Sequence, residues 1–412
     1  MGEGGAKWIP AGFYLFSLAL LVVTPRSEFA ILLILAFFAF ASWYILIKYE
    51  NTLLFLGVLA LVARLAFFRF IPMLSDDYIR FIWDGKLILN GVNPFGRIPV
   101  EMTDFAERQP ELLSSMNSPD YPSIYPPLHQ LGFAFGALFG EHSVNGIRLF
   151  ILLCEGIGLF YFYRSCKKLL PFFIFYLLNP LVILEGVGNL HFEAALLPFL
   201  AIALSTPKPR LAGMALGAAV LVKLNPFILV PAFLKEESIR RKGVFLFILF
   251  LTIALGFLPF ISGLSTVFSG YDLYFRSFEF NASIYYLFSE IGKAVLGYNP
   301  IAILGPTMGV LALVFILYVA YRKVPLAEKA TRTYLVFFLF STTVHPWYVL
   351  PLVYLSLITG RHAILIWSFT VLFSYSHYLG EDSPKYGWIA LEYLSLAGAV
   401  VYEYRFKKRI EP

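Results

Sequence analysis

The stretch SDDYIRFIWDG at residues 75–85 follows an apolar run over 52–71 and lies near the start of the longest polar interval of the chain, 72–130. The spacing predicts a helix over residues 76–90, with Asp77, Arg80 and Asp84 three and four residues apart on one face. Its apolar side chains lie on or near the other face: Ile79, Ile82, Trp83 and Leu87. Such an amphipathic helix is expected to lie along a membrane surface with its acids facing a cavity.

The composition of the chain excludes an ordinary soluble protein. Hydrophobic residues make up 59% of the sequence and charged residues 14%, and the mean hydropathy is +0.75. Apolar runs recur from Phe13 almost to the C-terminus, and several are long enough to cross a hydrocarbon core of ~30 Å. These features predict an all-α polytopic integral membrane protein. Cys154 and Cys166 support neither a disulfide framework nor a cysteine metal site.

The distribution of basic residues gives the expected orientation. The net charge of +6 does not indicate a nucleic-acid partner, because the lysines and arginines gather in short loops between apolar runs. By the positive-inside rule these loops are cytoplasmic. They contain Lys208 and Arg210; Lys235, Arg240, Arg241 and Lys242; Arg322, Lys323, Lys329 and Arg332; Arg361; and Arg405, Lys407, Lys408 and Arg409. From a cytoplasmic N-terminus, crossings at 11–23, 29–47 and 52–71 place Asp76 outside.

One membrane domain is expected over residues 1–412, with about 12–15 membrane segments. The apolar stretch Phe13 to Val23 is taken as a retained first span, since no convincing cleavage pattern follows it. Residues 72–130 are expected to form an extracytoplasmic loop within this domain, and this loop is the candidate active-site loop. The segment 127–140 is short for a span and is expected to be re-entrant or partial.

Asp76 and Asp77 are the first candidates for chemistry. One of them is expected to cap the helix that begins near Tyr78. Two adjacent acids exceed the need of a cap, so at least one is a candidate general base that takes a proton from an attacking hydroxyl. The competing functional use is a Mg²⁺ or Mn²⁺ site shared with a phosphate oxygen.

Further polar residues interrupt apolar runs on the same predicted outer face. Glu185, His191 and Glu193 are candidates because ionisable groups at membrane depth are costly unless they line a wet cavity. Lys223 either extends toward the membrane surface or contacts a phosphate. Histidine in such a place is more often a packed residue than a catalyst. The remaining candidate substrate contacts are Arg80, Asp84, Tyr125, Asn189, Arg276, His345, Trp347 and Tyr348.

Six segments together resemble a known family. They are SDDYIRFIWDG at 75–85, GVNPF at 91–95, PSIYPP at 122–127, NPLVILEG at 179–186 with NLHFE at 189–193, VKLNP at 222–226 and HPWY at 345–348. Their order and spacing are similar to those of polyprenyl-phosphate-mannose-dependent mannosyltransferases of the GT-C superfold, above all the bacterial α-1,6-mannosyltransferases. The resemblance spans about residues 50–360. Many relatives have NGHND where this chain has NLHFE.

The resemblance implies a GT-C fold with a large first extracytoplasmic loop carrying amphipathic surface helices. It implies an inverting enzyme of the cytoplasmic (inner) membrane that moves a sugar, mannose by this likeness, from a polyprenyl-phosphate donor to a lipid or glycan acceptor on the extracytoplasmic face. The catalytic base then falls on Asp76 or Asp77, with a slight preference for Asp77. No cofactor and no metal are expected, and membrane lipids are the other partners. A transporter or flippase of lipid-linked sugars and a lipid-diphosphate-dependent glycan ligase or polymerase are the alternatives.

Overall fold

Helices dominate the part of the chain that the structure describes. The computed structural model describes residues 7–50, 52–95, 97–234, 238–265, 277–380 and 385–406, and helices account for 80% of the structure. These ranges contain no β-strand, and an isolated parallel bridge joins Phe280 and Thr343. The prediction of an all-α chain is confirmed.

The helices are short relative to the length of the chain. In chain order the α-helices are α1 (Trp8–Val22), α2 (Phe29–Tyr49), α3 (Leu53–Leu65), α4 (Asp77–Leu89), α5 (Thr103–Ala106), α6 (Pro110–Ser115), α7 (Pro127–Ala137), α8 (Ser143–Ser165), α9 (Leu170–Leu177), α10 (Glu193–Ser205), α11 (Pro209–Val222), α12 (Val230–Leu234), α13 (Ile239–Phe257), α14 (Ile284–Leu296), α15 (Ile301–Tyr321), α16 (Leu326–Phe340), α17 (Leu350–Thr359), α18 (His362–Thr370) and α19 (Lys385–Phe406). A π-helix covers Val182–Gly188. Turns of 3₁₀-helix cover Ala66–Arg69, Pro99–Glu101, Gly140–His142, Lys167–Leu169, Asn225–Leu229, Leu258–Gly263, Pro346–Val349 and Val371–Tyr378.

Among the described residues, four helical segments are long and apolar enough to cross a membrane: Phe29–Tyr49, Gly140–Ser165, Ile239–Gly263 and Ile301–Tyr321. A fifth arises if Lys167–Leu177 and Val182–Gly188, which meet at a bend of 78°, form one broken span. The break contains Pro180, which lacks the N–H that a continuous helix needs. The figure of about 12–15 membrane segments also counts shorter apolar helices, and it stays a prediction.

Helix α10 lies at the centre of the molecule. Nearly all of its side chains are buried, from Glu193 at its first position to Ala203. A helix that is apolar on every side is typical of an interior position, because no face has to meet water. Its first turn carries a carboxylate into this interior, and so the site described below lies at the N-terminal end of the central helix.

Helix α4 matches the predicted helix over 76–90 to within one residue at each end. It packs closely on α7, because Gly85 has no side chain: a Cβ there would lie 2.3 Å from the carbonyl oxygen of Phe133. The Phe81 and Phe133 rings stack across the same contact, with centroids 4.4 Å apart. This packing holds α4 against α7, and Asp77 lies in the first turn of the helix that is held in this way.

The opposite face of α4 differs from the prediction. Its apolar side chains were expected to face a membrane surface, but they are buried against the polar interval itself. Ile79, Trp83 and Leu87 form a small core with side chains from that interval: Met102, Phe105 and Met116. The segment 99–116 therefore covers this face, because burying an aromatic and several aliphatic side chains within the chain removes them from water without any help from lipid.

Candidate functional site

The two acids at the start of α4 have different partners. Asp76 accepts a hydrogen bond from Arg26 Nη2 at 2.5 Å, and Asp77 accepts one from Asn117 Nδ2 at 2.9 Å. Asp76 occupies the N-cap position, but its side chain makes no capping hydrogen bond. Instead the backbone N–H of Asp77 donates to Ser75 Oγ at 3.3 Å. The expectation that one acid caps the helix is therefore not met by the N-cap residue.

The environment of the Asp77 carboxyl suits a proton acceptor. Its side chain is half-buried, and burial raises the pKa of its carboxyl. The hydrogen bond from Asn117 and the attraction of Lys223 lower that pKa in part, while repulsion from Asp76 raises it. A carboxylate whose pKa is raised is a better proton acceptor. The influence of Lys223 also places the two side chains in one electrostatic neighbourhood.

Lys223 ends α11 and pairs with the central helix. Its ammonium donates to the buried Glu193 carboxylate and lies over the Tyr348 ring, 4.3 Å from the centroid. The lysine side chain itself is 25% exposed. The structure thus brings together Lys223, Glu193 and Tyr348, which the sequence places in three separate segments.

A column of stacked rings forms the wall beside this pair. His191 stacks on Trp347 with centroids 3.5 Å apart, and His345 stacks on the other face of Trp347 at 4.4 Å. Phe280 continues the column at 4.5 Å from His345. Both faces of Trp347 are therefore covered by protein rings, which removes it as a stacking surface for a sugar in this conformation.

Glu185 closes one end of the ring column. Its Oε1 accepts a hydrogen bond from the Tyr375 hydroxyl at 2.6 Å, and its Oε2 faces His191 Nε2 at 3.6 Å. Burial lowers the pKa of His191 well below the usual value for histidine, and it lowers the pKa of His345 to about 3. Both imidazoles are neutral at pH 7, so neither histidine contributes a positive charge to the site.

Other predicted site residues have internal partners. Arg80 pairs with Asp84 at 2.9 Å and donates to the carbonyl oxygens of Ser118 and Tyr121. Asp84, which is fully buried, also accepts from Ser123 and Gln130. These contacts hold the segment that carries Asn117 against α4.

Three predicted residues remain. Asn189 accepts from the backbone N–H of Leu74 at 3.1 Å and donates to the carbonyl of Leu184, so it ties the approach to α4 to the π-helix. Tyr125 is half-buried and packs edge-on against Phe81 at 5.2 Å. Arg276 lies outside the described residues.

Sequence reasoning missed Arg26. This arginine lies in the connection between α1 and α2, pairs with Asp76 and lies over the Tyr378 ring, 4.3 Å from the centroid. A signal was present, because the predicted crossings put residues 24–28 on the same outer side as Asp76. Asn117 and Tyr375 were also missed, since neither belongs to a motif and only the fold brings them to Asp77 and Glu185.

A scan against protein-family models, a search of curated proteins and a search of solved structures each found no match. Within the part of the chain that the structure describes, no group of three or more His, Cys, Asp or Glu side chains is arranged to hold a metal ion. The site is therefore defined by its own geometry: Asp77 with a raised pKa, two cations that are each paired with an acid, and a wall of neutral rings.

Proposed function

We propose that the protein is a membrane glycosyltransferase of the GT-C type, which moves a sugar from a polyprenyl-phosphate donor to a hydroxyl acceptor. One observation carries the proposal most: the half-buried carboxylate of Asp77, which accepts a hydrogen bond from the neutral Asn117, lies in the same region of the fold as the ammonium of Lys223. A base and a cation in one neighbourhood suit a reaction that takes a proton and releases a phosphate. Several apolar helices that fit a membrane are consistent with a lipid-linked donor.

In the proposed reaction the acceptor hydroxyl gives its proton to Asp77. The oxygen of the acceptor hydroxyl forms a bond to the anomeric carbon. At the same time the bond between that carbon and the phosphate oxygen breaks, and the electron pair of the broken bond stays on the phosphate. The donor phosphodiester carries one negative charge, and the leaving phosphate monoester carries one more. The proton that Asp77 has gained makes the charge of the protein more positive by the same amount, so the charge of the whole site is unchanged.

The leaving phosphate needs cations near it as its charge grows. We assign the stabilisation of the leaving phosphate to Lys223 and Arg26, whose contacts are alike. Each is paired with one acid, Glu193 or Asp76, and each lies 4.3 Å from a tyrosine ring centroid. An arginine also offers several N–H donors in a plane that fits phosphate oxygens.

Two further features support the assignment. The six segments that resemble polyprenyl-phosphate-mannose-dependent enzymes include the segments that carry Asp77, Glu193 and Lys223, and the fold brings these residues to one region. The resemblance makes mannose the first sugar to test and the extracytoplasmic face of the cytoplasmic membrane the first location.

Proteoliposomes test the proposal against the transporter alternative. The purified protein is reconstituted with a polyprenyl-phosphate sugar labelled in the sugar, and both the transbilayer position of the donor and the chemical state of the label are measured. A transferase makes a new glycosidic bond. Translocation of intact donor without a new bond would support a flippase instead. A parallel sample with EDTA is expected to keep its activity, because cations of the chain itself face the phosphate.

A further inference from the structure

Helix α14 presents three chemically different faces. With 3.6 residues per turn, the first face contains Tyr285 and Ser289, which are buried against the protein. The second face is polar and contains Tyr286, Glu290 and Lys293, of which Glu290 and Lys293 form an ion pair at 2.9 Å. The third face is a continuous apolar stripe formed by Leu287, Phe288, Ile291 and Val295.

The apolar stripe is open to the surroundings of the protein. Leu287 is 69% exposed, Ile291 62% and Val295 77%. Soluble proteins seldom leave so many large apolar side chains side by side in water. Removing such side chains from water is favourable in proportion to their apolar surface, so the stripe favours an apolar environment.

The next helix identifies what that environment is. Helix α15 is one of the four segments that fit a membrane span, and most of its surface is apolar and exposed, including Ile303 and Val310. The chain turns directly from α14 into α15 at Gly297, whose φ of 74° ends the first helix. Gly292 allows the close approach of the two helices, because a Cβ there would lie 2.6 Å from Pro300. The apolar stripe of α14 is therefore next to the first turn of α15, where the exposed apolar surface of α15 begins.

The rim of α14 has the composition of a membrane interface. Tyr298 and Tyr386 are exposed near the junction, and Tyr386 packs on Tyr286 with centroids 5.7 Å apart. Lys293 lies on the polar face with its ammonium beside Glu279 and Glu290. Tyrosines with their hydroxyls toward water and lysines that extend to the headgroups are enriched at this depth.

From these observations we infer that α14 lies in the membrane–water interface, with the stripe of Leu287, Phe288, Ile291 and Val295 in the acyl chains of the bilayer and the face of Glu290 and Lys293 in water. The partner of this surface is the lipid bilayer. Amphipathic helices of this kind bind the interface along their length, with the apolar face a short way below the headgroups.

The position of α14 connects the bilayer surface with the site. Phe280, four residues before the helix, stacks on His345, and the Phe280 backbone is hydrogen-bonded to the segment that leads into His345. The ring column therefore ends close to a helix that lies at the lipid surface. This placement does not depend on glycosyl transfer, so it is tested without a donor.

Spin labels on single cysteines test the inference in liposomes. The labels are placed at Val295, at Glu290 on the opposite face and at Val310 in the middle of α15, in a chain whose Cys154 and Cys166 are replaced by Ala. Collision with oxygen, which dissolves in lipid, is compared with collision with a water-soluble nickel chelate. We expect the Val295 label to prefer oxygen and to lie at a smaller depth than Val310, while the Glu290 label prefers nickel.

Two outcomes would overturn the inference. Equal nickel access at Val295 and Glu290 would place the stripe in water. If the Val295 label is reached by neither oxygen nor the nickel chelate, and its spectrum shows dipolar broadening between labels, a second copy of the chain covers the stripe. If the cysteine-free chain does not fold, a photoreactive phenylalanine at Val295 in the wild-type chain is expected to crosslink labelled phospholipid, and the same group at Glu290 is not.

Discussion

At the scale of single residues, the structure separates two acids that the sequence leaves nearly equivalent. Asp76 is engaged by Arg26, whereas Asp77 has a neutral partner, Asn117, and a pKa raised by burial. Asp76 is thus the partner of an arginine, which is a structural role. The other acid is available for proton transfer. The slight preference for Asp77 from helix spacing thus gains a physical reason, although its role as base stays a proposal.

The Asp77→Asn variant is expected to lose about 10²- to 10⁴-fold in turnover, because the amide cannot accept the proton of the acceptor hydroxyl. The Asp76→Asn variant is expected to keep most of its turnover number but to need several-fold more donor, since Arg26 loses its charged partner. Steady-state kinetics on protein of wild-type thermal stability separate the two. Asp104→Asn, an exposed acid in the same polar interval, is the matched control. Near-normal turnover of Asp77→Asn would move the base to Glu185 or Glu193.

The pH dependence of the rate follows from the same carboxyl. Asp77 acts only when ionised, so kcat/KM is expected to fall as the pH drops through its pKa, and the raised pKa puts this fall above the pH at which an ordinary aspartate titrates, ~3.9. Asn117→Ala removes a donor to the charged form and shifts the fall to higher pH. Asp76→Asn removes a repulsion and shifts it lower. Profiles that coincide for all three proteins would show that Asp77 does not control the rate.

Residue types alone do not reveal these partners. The sequence indicated that Asp77, Lys223 and His345 lie on one side of a membrane. The predicted crossings put residues 24–28 on that side too, but no motif singled out Arg26. The sequence also made His345 a candidate substrate contact, but it did not reveal that burial lowers the pKa of this histidine to about 3 and keeps it neutral. Burial and pairing are properties of the folded chain, and so they could not be derived from spacing.

At the scale of elements, an ion pair joins α10 and α11. Glu193 begins the central helix and is almost fully buried, and Lys223 follows the end of α11. Removing the lysine alone leaves a buried carboxylate without its counter-charge, which is far more costly than losing an exposed pair.

Lys223→Met is therefore expected to destabilise the protein by up to ~3 kcal/mol and to weaken donor binding. The double variant Lys223→Met with Glu193→Gln is expected to recover most of the stability, because no uncompensated charge remains, but not the donor affinity. Thermal unfolding in detergent and donor KM are measured for both variants. Recovery of donor affinity in the double variant would contradict a phosphate-binding role for Lys223.

Some properties of helix α4 could be predicted from the sequence and others could not. The ends and the acidic face of the predicted helix over 76–90 agree with α4 because they follow from local spacing. The prediction that its apolar face lies on a membrane surface was wrong, because Trp83 is covered by Phe105 of the same chain. The periodicity of a helix records that a face is buried, but not what buries it.

At the scale of the whole molecule, the apolar helices and the loop charges predict an orientation. The segment around Glu111 is expected outside and the loop around Ser238 inside, and both residues are exposed. Ser75, in contrast, is buried and is a poor position for labelling. Single cysteines at Glu111 and Ser238 in intact cells are therefore treated with an impermeant thiol reagent. Labelling of Glu111→Cys alone supports the orientation, and labelling of Ser238→Cys alone reverses it.

The class of the protein, an all-α chain with apolar helices that fit a membrane, could be predicted from the sequence because it depends on composition. The number of crossings could not, since breaks at Pro180 and at the turns of 3₁₀-helix divide apolar runs into pieces shorter than a span. Four or five segments among the described residues are long enough to cross, and the shorter helices require a direct measurement of their depth.

The measurement that tests the central claim most directly follows the donor bond. Purified protein is incubated with a panel of polyprenyl-phosphate sugars and with lipid and glycan acceptors, and the released polyprenyl phosphate and the new glycoside are both quantified. A transferase with Asp77 as base is expected to release one lipid phosphate for each glycosidic bond formed, and the Asp77→Asn protein only a small fraction of that. Binding or translocation of the donors with their sugar–phosphate bond intact would contradict the account.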